Sequence, residues 1–297
     1  MNLPYDLGIR RASLVVSGVE VVVAGSSGDL YFESLEQLGQ LFEPAVAVAG
    51  RHLGPDAVII DVGASIGLVT AALLPSLSTG RIVCFEPEPR ALDCLRETLR
   101  SEADRVTIVP AAAGREVGVA RFHQDPNGTA WGMLVDREPS VEVPITTVDA
   151  TLTELGIDRV DMVKIDVEGF ELDVLRGARE TIERHRPLMV VEVNPYCLWR
   201  HGRTLPQDLV AELRELYPFV TAVHGDGRAV PVKGRSFDDL LYELGTSGGL
   251  ADLVASDREL ELDGLLVPAT DGVEEQPEHP GRQRSFGARV MGRLRRR

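Results

Sequence analysis

The sequence has few cysteines, no long apolar run and less positive than negative charge. Its 297 residues include three cysteines, Cys84, Cys94 and Cys197, whose number and spacing fit neither a zinc-binding template nor a secreted disulfide scaffold. Because free cysteine is usually buried, we expect structural roles for Cys84 and Cys94. No apolar run approaches the ~20 residues of a membrane span, and the N-terminus lacks the apolar core of a secretory signal. These absences predict a cytoplasmic protein.

The charge balance argues against one class of partner. Acidic residues number 46 against 31 basic ones, which gives a formal net charge of −15. A surface of this sign repels phosphate backbones, so we expect no specific nucleic-acid partner and favour a small-molecule substrate. The apolar fraction of 44% is ample for a core, and the length suits one large α/β domain or two small ones.

One stretch carries the strongest pattern in the chain. Ala57–Ile60 is an unbroken apolar run, which predicts a strand buried on both faces. Asp61 ends the run, Gly63 and Gly67 follow, and Ile66–Leu74 predicts a helix. Glycine lets a backbone approach a ligand closely, and a helix start offers unpaired N–H groups. Strand, glycine-bearing turn and helix together predict a nucleotide-type site in an open α/β sheet.

The spacing of the glycines separates two interpretations of this site. A dinucleotide site requires G-x-G-x-x-G, whereas this turn has Gly63, then an alanine, then Gly67. Asp61, before the first glycine, suits an ammonium group better than a pyrophosphate. The pattern therefore resembles the first motif of class I S-adenosylmethionine (SAM) methyltransferases. Glu86 ends the next apolar run, roughly 25 residues later, where such sheets bind ribose hydroxyls. A nicotinamide-dependent oxidoreductase and a catalytically silent SAM-binding module stay as alternatives.

The remaining apolar runs predict a doubly wound sheet. Strands are predicted before Glu86, Asp166 and Glu192, which with Asp61 places four acids at the carboxyl ends of strands. Ligands bind outside those ends in open parallel sheets, so the acids predict a site at one sheet edge. Phe170–His185 predicts one amphipathic helix. We expect a Rossmann-like, mostly parallel α/β fold.

The two ends of the chain differ from this core. Leu14–Val23 predicts a hairpin and Tyr31–Leu53 a helix, which we interpret as a cap, within residues 1–55, over one edge of the sheet. The core is predicted over residues 56–260. Residues 270–297 indicate an acidic linker and an arginine-rich tail, which is either disordered or docked on an anionic membrane or partner.

Four segments closely resemble the FkbM family of SAM-dependent methyltransferases. They are Val163–Ala178 (V-K-I-D-V-E-G-F-E-L-D-V-L-R-G-A), Ile59–Gly67, Phe85–Pro87 and Asp125–Gly132. The resemblance implies a class I methyltransferase fold with SAM as cofactor. It also implies O-methyl transfer onto a hydroxyl of a sugar, glycolipid or polyketide-type natural product. It assigns four residues to SAM: Gly63, Ala64, Gly67 and Glu86.

A hydroxyl is a poor nucleophile until its proton is removed, and acids are available for that task. The catalytic candidates are Asp166, Glu168 and Glu192. Because an ordinary acid pKa near 4 is low for a base acting on an alcohol, burial or a metal would help. Oxygens of Asp166, Glu192 and Asn194 could hold Mg²⁺. Alternation along the strand predicts that Lys164 points to the other face, as a partner for a neighbouring carboxylate.

The predicted site has two further parts besides the catalytic acids. The cofactor is expected to contact Asp61, Gly63, Ala64, Ser65, Gly67, Glu86, Pro87, Ala111, Ala112 and Asp166. The acceptor is expected to contact Asn127, Trp131, Asn194, Tyr196 and Trp199. The aromatic members of this second set follow a turn or a strand end, where side chains of this size suit the wall of an acceptor pocket.

Overall fold

The chain folds around one large sheet flanked by helices. The computed structural model describes residues 8–135, 138–234, 238–240, 242, 244 and 250–265. Its strands, in chain order, are β1 (Ile9–Val16), β2 (Val19–Ser26), β3 (Gln40–Leu41), β4 (Val58–Val62), β5 (Arg81–Phe85), β6 (Val106–Val109), β7 (Ala112–Ala113), β8 (Gly118–His123), β9 (Ser140–Thr146), β10 (Met162–Ile165), β11 (Leu188–Val193), β12 (Phe219–His224), β13 (Ala229–Pro231) and β14 (Ala251–Ser256). Its α-helices are α1 (Leu30–Leu38), α2 (Pro44–His52), α3 (Leu68–Leu73), α4 (Pro89–Thr98), α5 (Val148–Leu155), α6 (Glu171–Gly177), α7 (Arg179–His185), α8 (Pro195–Cys197) and α9 (Pro206–Leu216). None of these described helices has the length and apolar character to cross a membrane. The predicted linker and arginine-rich tail lie outside the described residues.

The central sheet has, within the described ranges, eight strands in the order β13-β12-β14-β11-β10-β4-β5-β6. β14 runs antiparallel to both of its neighbours and β13 antiparallel to β12, while the other neighbouring pairs are parallel. The sheet begins at β4, moves outward to β6 and then continues from β10 on the other side. In an open α/β sheet such a reversal leaves a crevice at the carboxyl ends of the strands. The predicted doubly wound, mostly parallel sheet is confirmed.

The central strands form because their side chains are apolar on both faces. In β4, Ile59, Ile60 and Val62 are fully buried, each with 0% of its surface exposed. Ile59 packs in a core with residues of α3 and α4, and Ile60 packs in the opposite core with residues of α5 and α6. Each such burial contributes about 1.5–3 kcal/mol. The two cores fix the end of β4 and the turn that follows it.

Two helices predicted as continuous are divided in the structure. The segment over Tyr31–Leu53 forms α1, β3 and α2. Gly39 ends α1 with a φ of 65°, and Pro44 opens α2, where a helix needs no N–H donor. The segment over Phe170–His185 forms α6 and α7, and the division follows Gly177. This glycine packs so closely that an added Cβ would lie 1.9 Å from a neighbouring carbonyl oxygen.

The predicted N-terminal hairpin is confirmed, and its second strand packs on two helices of the core. β1 and β2 pair antiparallel, and β2 contacts α3 and α4. The backbone N–H of Ala24 in β2 donates to Oγ1 of Thr98 in α4 at 2.9 Å. Asp29 caps α1 and also accepts hydrogen bonds from the N–H and hydroxyl of Thr129, both at 2.9 Å. The N-terminal segment is therefore tied to the core helices and to the loop after β8.

The three cysteines form no disulfide and are buried, which confirms the burial expected for Cys84 and Cys94. Burial raises the pKa of Cys94 to about 11 and raises those of Cys84 and Cys197 well above the ordinary value. Since the thiolate is the reactive form, we expect native thiols at pH 7 to react about 10²-fold or more slowly than free cysteine. A chromogenic disulfide reagent should titrate all three only after denaturation. A thiol that reacts promptly in the native protein would contradict this burial.

Candidate active site

The predicted acids meet at one edge of the central sheet. Asp61 is the second-last residue of β4, and Glu86 and Asp166 directly follow β5 and β10. The register pairs Val62, the last residue of β4, with the last residues of β5 and β10. These three strand ends therefore lie side by side. Glu192 is the second-last residue of β11, which pairs with β10. The acids thus surround the point where the strand order reverses.

The turn after β4 uses its glycines for internal packing. Gly63 and Gly67 have φ values of 82° and 88°, in the left-handed region that favours glycine. A Cβ added at Gly63 would lie 1.8 Å from the carbonyl oxygen of Asp166. One added at Gly67 would lie 2.8 Å from Cδ1 of Leu95. The Cβ directions of both glycines are therefore filled by protein atoms, while contact between their backbone and a ligand stays a prediction.

Two polar groups, one on this turn and one after β5, suit a nucleoside ligand. Both carboxylate oxygens of Glu86 accept backbone N–H groups, from Ser65 at 2.7 Å and from Glu88 at 2.8 Å. A carboxylate can accept about four hydrogen bonds, so about two sites remain for ribose hydroxyls. Burial raises the pKa of Glu86 to about 7. The buried hydroxyl of Ser65 has no hydrogen-bond partner among the described residues, a costly arrangement that a ligand would relieve.

The other predicted cofactor residues lie in the same turn, after β5, and between the end of β6 and β7. Their side chains are buried or half-buried: Ala64, Pro87, Ala111 and Ala112. The N–H of Ala64 donates to the carbonyl of Phe85 at 3.1 Å, which holds the turn against the end of β5. Contact between these residues and a cofactor stays a prediction.

The carboxylate of Asp61 contacts other side chains of the protein. Its side chain is fully buried, and Oδ2 accepts a hydrogen bond from the hydroxyl of Thr70 at 2.6 Å. Oδ1 lies 3.5 Å from Nζ of Lys164 and makes no hydrogen bond with any described residue. The predicted contact between Asp61 and a ligand ammonium stays a prediction, and Oδ1 is the atom with capacity for it.

Lys164 lies on the same side as the acids. Its Nζ is 3.4 Å from Oδ2 of Asp166 and 3.5 Å from Oδ1 of Asp61, and it donates to the carbonyl of Gly63 at 3.2 Å. The prediction that it points to the other face is wrong. Side chains alternate along a strand, so Lys164 and Asp166, which are two residues apart, point to the same face. Its role as a carboxylate partner is confirmed. Burial lowers the pKa of Lys164, yet the carboxylates of Asp166, Asp61 and Glu43 together raise it above its ordinary value.

Glu168 has the environment that a carboxylate base needs. It lies in the turn after β10 with a φ of 56°, an uncommon conformation for a residue with a side chain. The thiol of Cys197 donates to its Oε2 at 2.8 Å. Burial, and then the negative charge of Asp166, raise the pKa of Glu168 to about 8. Burial likewise raises the pKa of Glu192 well above its ordinary value, with further contributions from Asp166 and Glu168.

The predicted acceptor residues are placed in two groups. Tyr196 and Trp199 follow β11 and are 61% and 65% exposed. Asn127 lies in the loop after β8, where its side-chain amide donates to Oδ1 of Asp125 at 3.0 Å. Trp131 follows in a short 3₁₀ turn, and its side chain lies outside the described residues. The first group adjoins Glu168, since the intervening Cys197 contacts that carboxylate.

Sequence reasoning missed three acids of this region. Glu43 precedes α2, Glu171 opens α6, and Asp252 in β14 pairs in register with Glu192. Burial raises the pKa of Glu43 and of Glu171 to about 7, and raises that of Asp252 well above its ordinary value. Glu171 could have been found from its place in the Val163–Ala178 motif. An excess of carboxylates over one lysine favours a cationic ligand.

The possible magnesium site is not supported. In the part of the chain that the structure describes, no group of three or more His, Cys, Asp or Glu side chains is arranged to hold a metal ion. Asn194, one of the expected ligands, caps α8 through a hydrogen bond from the N–H of Cys197 to its Oδ1 at 3.3 Å. Asp166, another, pairs with Lys164.

Comparison with known proteins places this site in a family. Residues 61–217, more than half of the chain, match the family described as the methyltransferase FkbM domain. The 2-O-methyltransferase NoeI of Sinorhizobium fredii is 28% identical over 150 residues, covering 44% of this chain and 61% of that protein. The hexuronic acid methyltransferase AglP of Haloferax volcanii is 28% identical over 162 residues, covering 54% of this chain and 62% of that protein. The chain thus spans about three fifths of the length of these relatives.

Solved structures show more distant similarity. An O-methyltransferase of Bacillus cereus in complex with SAH shares 12% identity with this chain. The similarity covers 71% of this chain and 79% of that one, with a TM-score of 0.39.

Proposed function

The chain belongs to the FkbM methyltransferase family, and we propose that it is a SAM-dependent O-methyltransferase acting on a hydroxyl of a sugar-containing small molecule. One observation carries the proposal. Glu168, a carboxylate whose pKa is raised to about 8, lies at the same sheet edge as the turn after β4, where we expect the cofactor to bind. Relatives named as a 2-O-methyltransferase and a hexuronic acid methyltransferase favour a sugar over the glycolipid and polyketide-type alternatives.

The residues around the turn after β4 would hold the donor. When bound, SAM supplies a methyl group already activated on a sulfonium, so the protein has chiefly to align two groups. Glu86 would accept hydrogen bonds from the ribose hydroxyls, and the hydroxyl of Ser65 would gain the partner it lacks. Ala111 and Ala112 would contact the adenine. Asp166 would help to balance the positive charge of the donor.

Glu168 would act as the general base. A base is most effective when its pKa is close to the working pH, and the pKa of Glu168 meets this condition. As the acceptor oxygen becomes the nucleophile, Glu168 takes up its proton. Asp166 and Glu192 support this role through negative charge nearby. Tyr196 and Trp199 offer exposed aromatic faces to a sugar ring beside that carboxylate.

Methyl transfer tests the proposal directly. The purified protein would be incubated with methyl-labelled SAM and a panel of simple glycosides and uronic acids, each matched with a deoxy analogue. Label should appear in hydroxylated sugars and be absent from the analogue that lacks the accepting hydroxyl. Binding of SAM without transfer to any sugar, lipid-linked sugar or polyketide would favour the silent binding module. Calorimetry that detects neither SAM nor S-adenosylhomocysteine binding would remove the proposal.

The pKa of Glu86 predicts a pH-dependent affinity for S-adenosylhomocysteine. Ribose hydroxyls donate to the ionised carboxylate, so binding should tighten as the pH rises and level off above about 7. Below that pH the affinity should fall by up to about tenfold per pH unit, because Glu86 must first lose its proton. Glu86→Gln should bind about tenfold more weakly at pH 8 and lose this dependence.

Isothermal titration calorimetry between pH 5.5 and 8.5 measures this effect. Glu116 is exposed and is not one of the acids assigned to the site, so Glu116→Gln is the matched control and should follow the wild type. Parallel profiles for Glu86→Gln and the wild type would show that Glu86 does not contact the ligand.

A further inference from the structure

Cys197 contacts the carboxylate that we assign as the base. Its Sγ lies 2.8 Å from Oε2 of Glu168, and the residue is only 5% exposed. The thiol is held in place by its own backbone, since the N–H of Cys197 donates to Oδ1 of Asn194 at the start of α8. Asn194 in turn follows β11 directly, so the sulfur is positioned by the central sheet.

The loops that carry Glu168 and Cys197 are packed backbone to backbone. A Cβ added at Gly169 would lie 2.3 Å from the carbonyl oxygen of Cys197. One added at Gly202 would lie 1.8 Å from the carbonyl oxygen of Gly169. Nδ1 of His201 lies 3.2 Å from the carbonyl oxygen of Glu168. The backbone of Glu168 is therefore fixed by the segment that also carries the thiol.

The side chain of Glu168 is oriented by one contact. Within the described part of the chain, its carboxylate accepts one hydrogen bond, from Cys197 to Oε2. A thiol has a single proton to donate, so it can engage only one of the two oxygens. With Oε2 engaged, Oε1 is the oxygen that can face an acceptor hydroxyl.

We propose that Cys197 is a positioning residue for methyl transfer: its thiol holds Oε2 of Glu168, so that Oε1 receives the proton of the acceptor. This inference rests on the proposed function, in which Glu168 is the base. Cys197 does not touch the donor or the acceptor in this assignment. It acts only through the orientation of Glu168.

Two substitutions separate a positioning role from a packing role. Cys197→Ala removes the donor, and kcat should fall about tenfold, the effect of losing one hydrogen bond to a charged group, while the KM for SAM stays unchanged. Cys197→Ser restores a donor at the same position, and it should recover most of that loss. Equal kcat in the wild type and Cys197→Ala would overturn the inference. Equal loss in both variants would do the same, because packing and not donation would then explain it.

An infrared measurement tests the contact without any turnover. The S–H stretching band of Cys197 is identified by its disappearance in Cys197→Ala, and it should shift in Glu168→Ala, where the acceptor is gone. The bands of Cys84 and Cys94 serve as internal controls, because neither thiol contacts Glu168. An unshifted Cys197 band would overturn the inference. A wild-type protein that transfers no methyl group would instead overturn the proposed function.

Discussion

Glu168→Gln is expected to lower kcat by about 10²- to 10⁴-fold, the range that general bases contribute. The amide keeps the shape of the side chain and can still accept from Cys197, but it cannot take up a proton. Affinity for SAM should change little, because the ribose contacts are assigned to Glu86 on a different turn. Steady-state kinetics with labelled SAM measures the first quantity, and calorimetry with S-adenosylhomocysteine measures the second.

The pH profile of the same variant gives an independent result. The base must be ionised to act, so wild-type kcat should rise with pH and level off above about 8. This inflection should be absent in Glu168→Gln. The exposed Glu154 on α5 provides a matched control, since Glu154→Gln removes a carboxylate that is not one of the acids assigned to the site. If Glu168→Gln kept the wild-type rate and inflection, Glu168 would not be the base.

The fold of Glu168→Gln should be intact, so that a loss of activity can be assigned to the missing base. Folding raises the pKa of Glu168 from an ordinary 4.5 to about 8, so the folded protein binds this proton more tightly than the unfolded chain. The stabilisation is fully present below about pH 4.5 and is lost as the pH rises through about 8. A neutral glutamine avoids that loss. Glu168→Gln should therefore be at least as stable as the wild type at pH 8 in a denaturant titration.

The sequence predicted the parts of the site that depend on local pattern. Apolar runs ending in Asp61, Glu86 and Asp166 predict strands, and parallel strands bring their carboxyl ends to one edge whatever the details of packing. The family motif added Glu168 to this set. These predictions depend on two features. The pattern of apolar residues is visible in consecutive residues, and the position of the strand ends follows from the topology of open parallel sheets in general.

Other features depend on which atoms meet in three dimensions. The role of Gly63 follows from the carbonyl of Asp166, a residue more than 100 positions away, and no spacing within the turn reveals it. The thiol of Cys197 reaches Glu168 across 29 positions, through the pairing of two loops. The acids at Glu43 and Asp252 come from elements outside the motif, so their contribution to the charge of the site could not be read from it.

Gly63→Ala is expected to cost roughly 3–5 kcal/mol of folding free energy, the combined effect of an unfavourable φ and overpacking. The residue has a φ of 82°, which a side chain disfavours. Its Cβ would also lie 1.8 Å from the carbonyl oxygen of Asp166, so the turns after β4 and β10 would have to separate. Urea unfolding followed by circular dichroism measures the loss.

Two other glycines distinguish the effect of the unfavourable φ from the effect of the overpacking. Gly156 has a φ of 64° with no atom within 4 Å of an added Cβ, so Gly156→Ala should cost only about 1–2 kcal/mol. Gly177 lies in α6 without a positive φ, and a Cβ added there would lie 1.9 Å from a carbonyl oxygen. Gly177→Ala therefore measures the overpacking alone. If Gly63→Ala lost no more stability than Gly156→Ala, the two turns would not be in contact. The separation of the turns should also move Asp166 away from the turn after β4, where we propose that the cofactor binds. A folded fraction of Gly63→Ala should therefore bind S-adenosylhomocysteine more weakly than Gly156→Ala does.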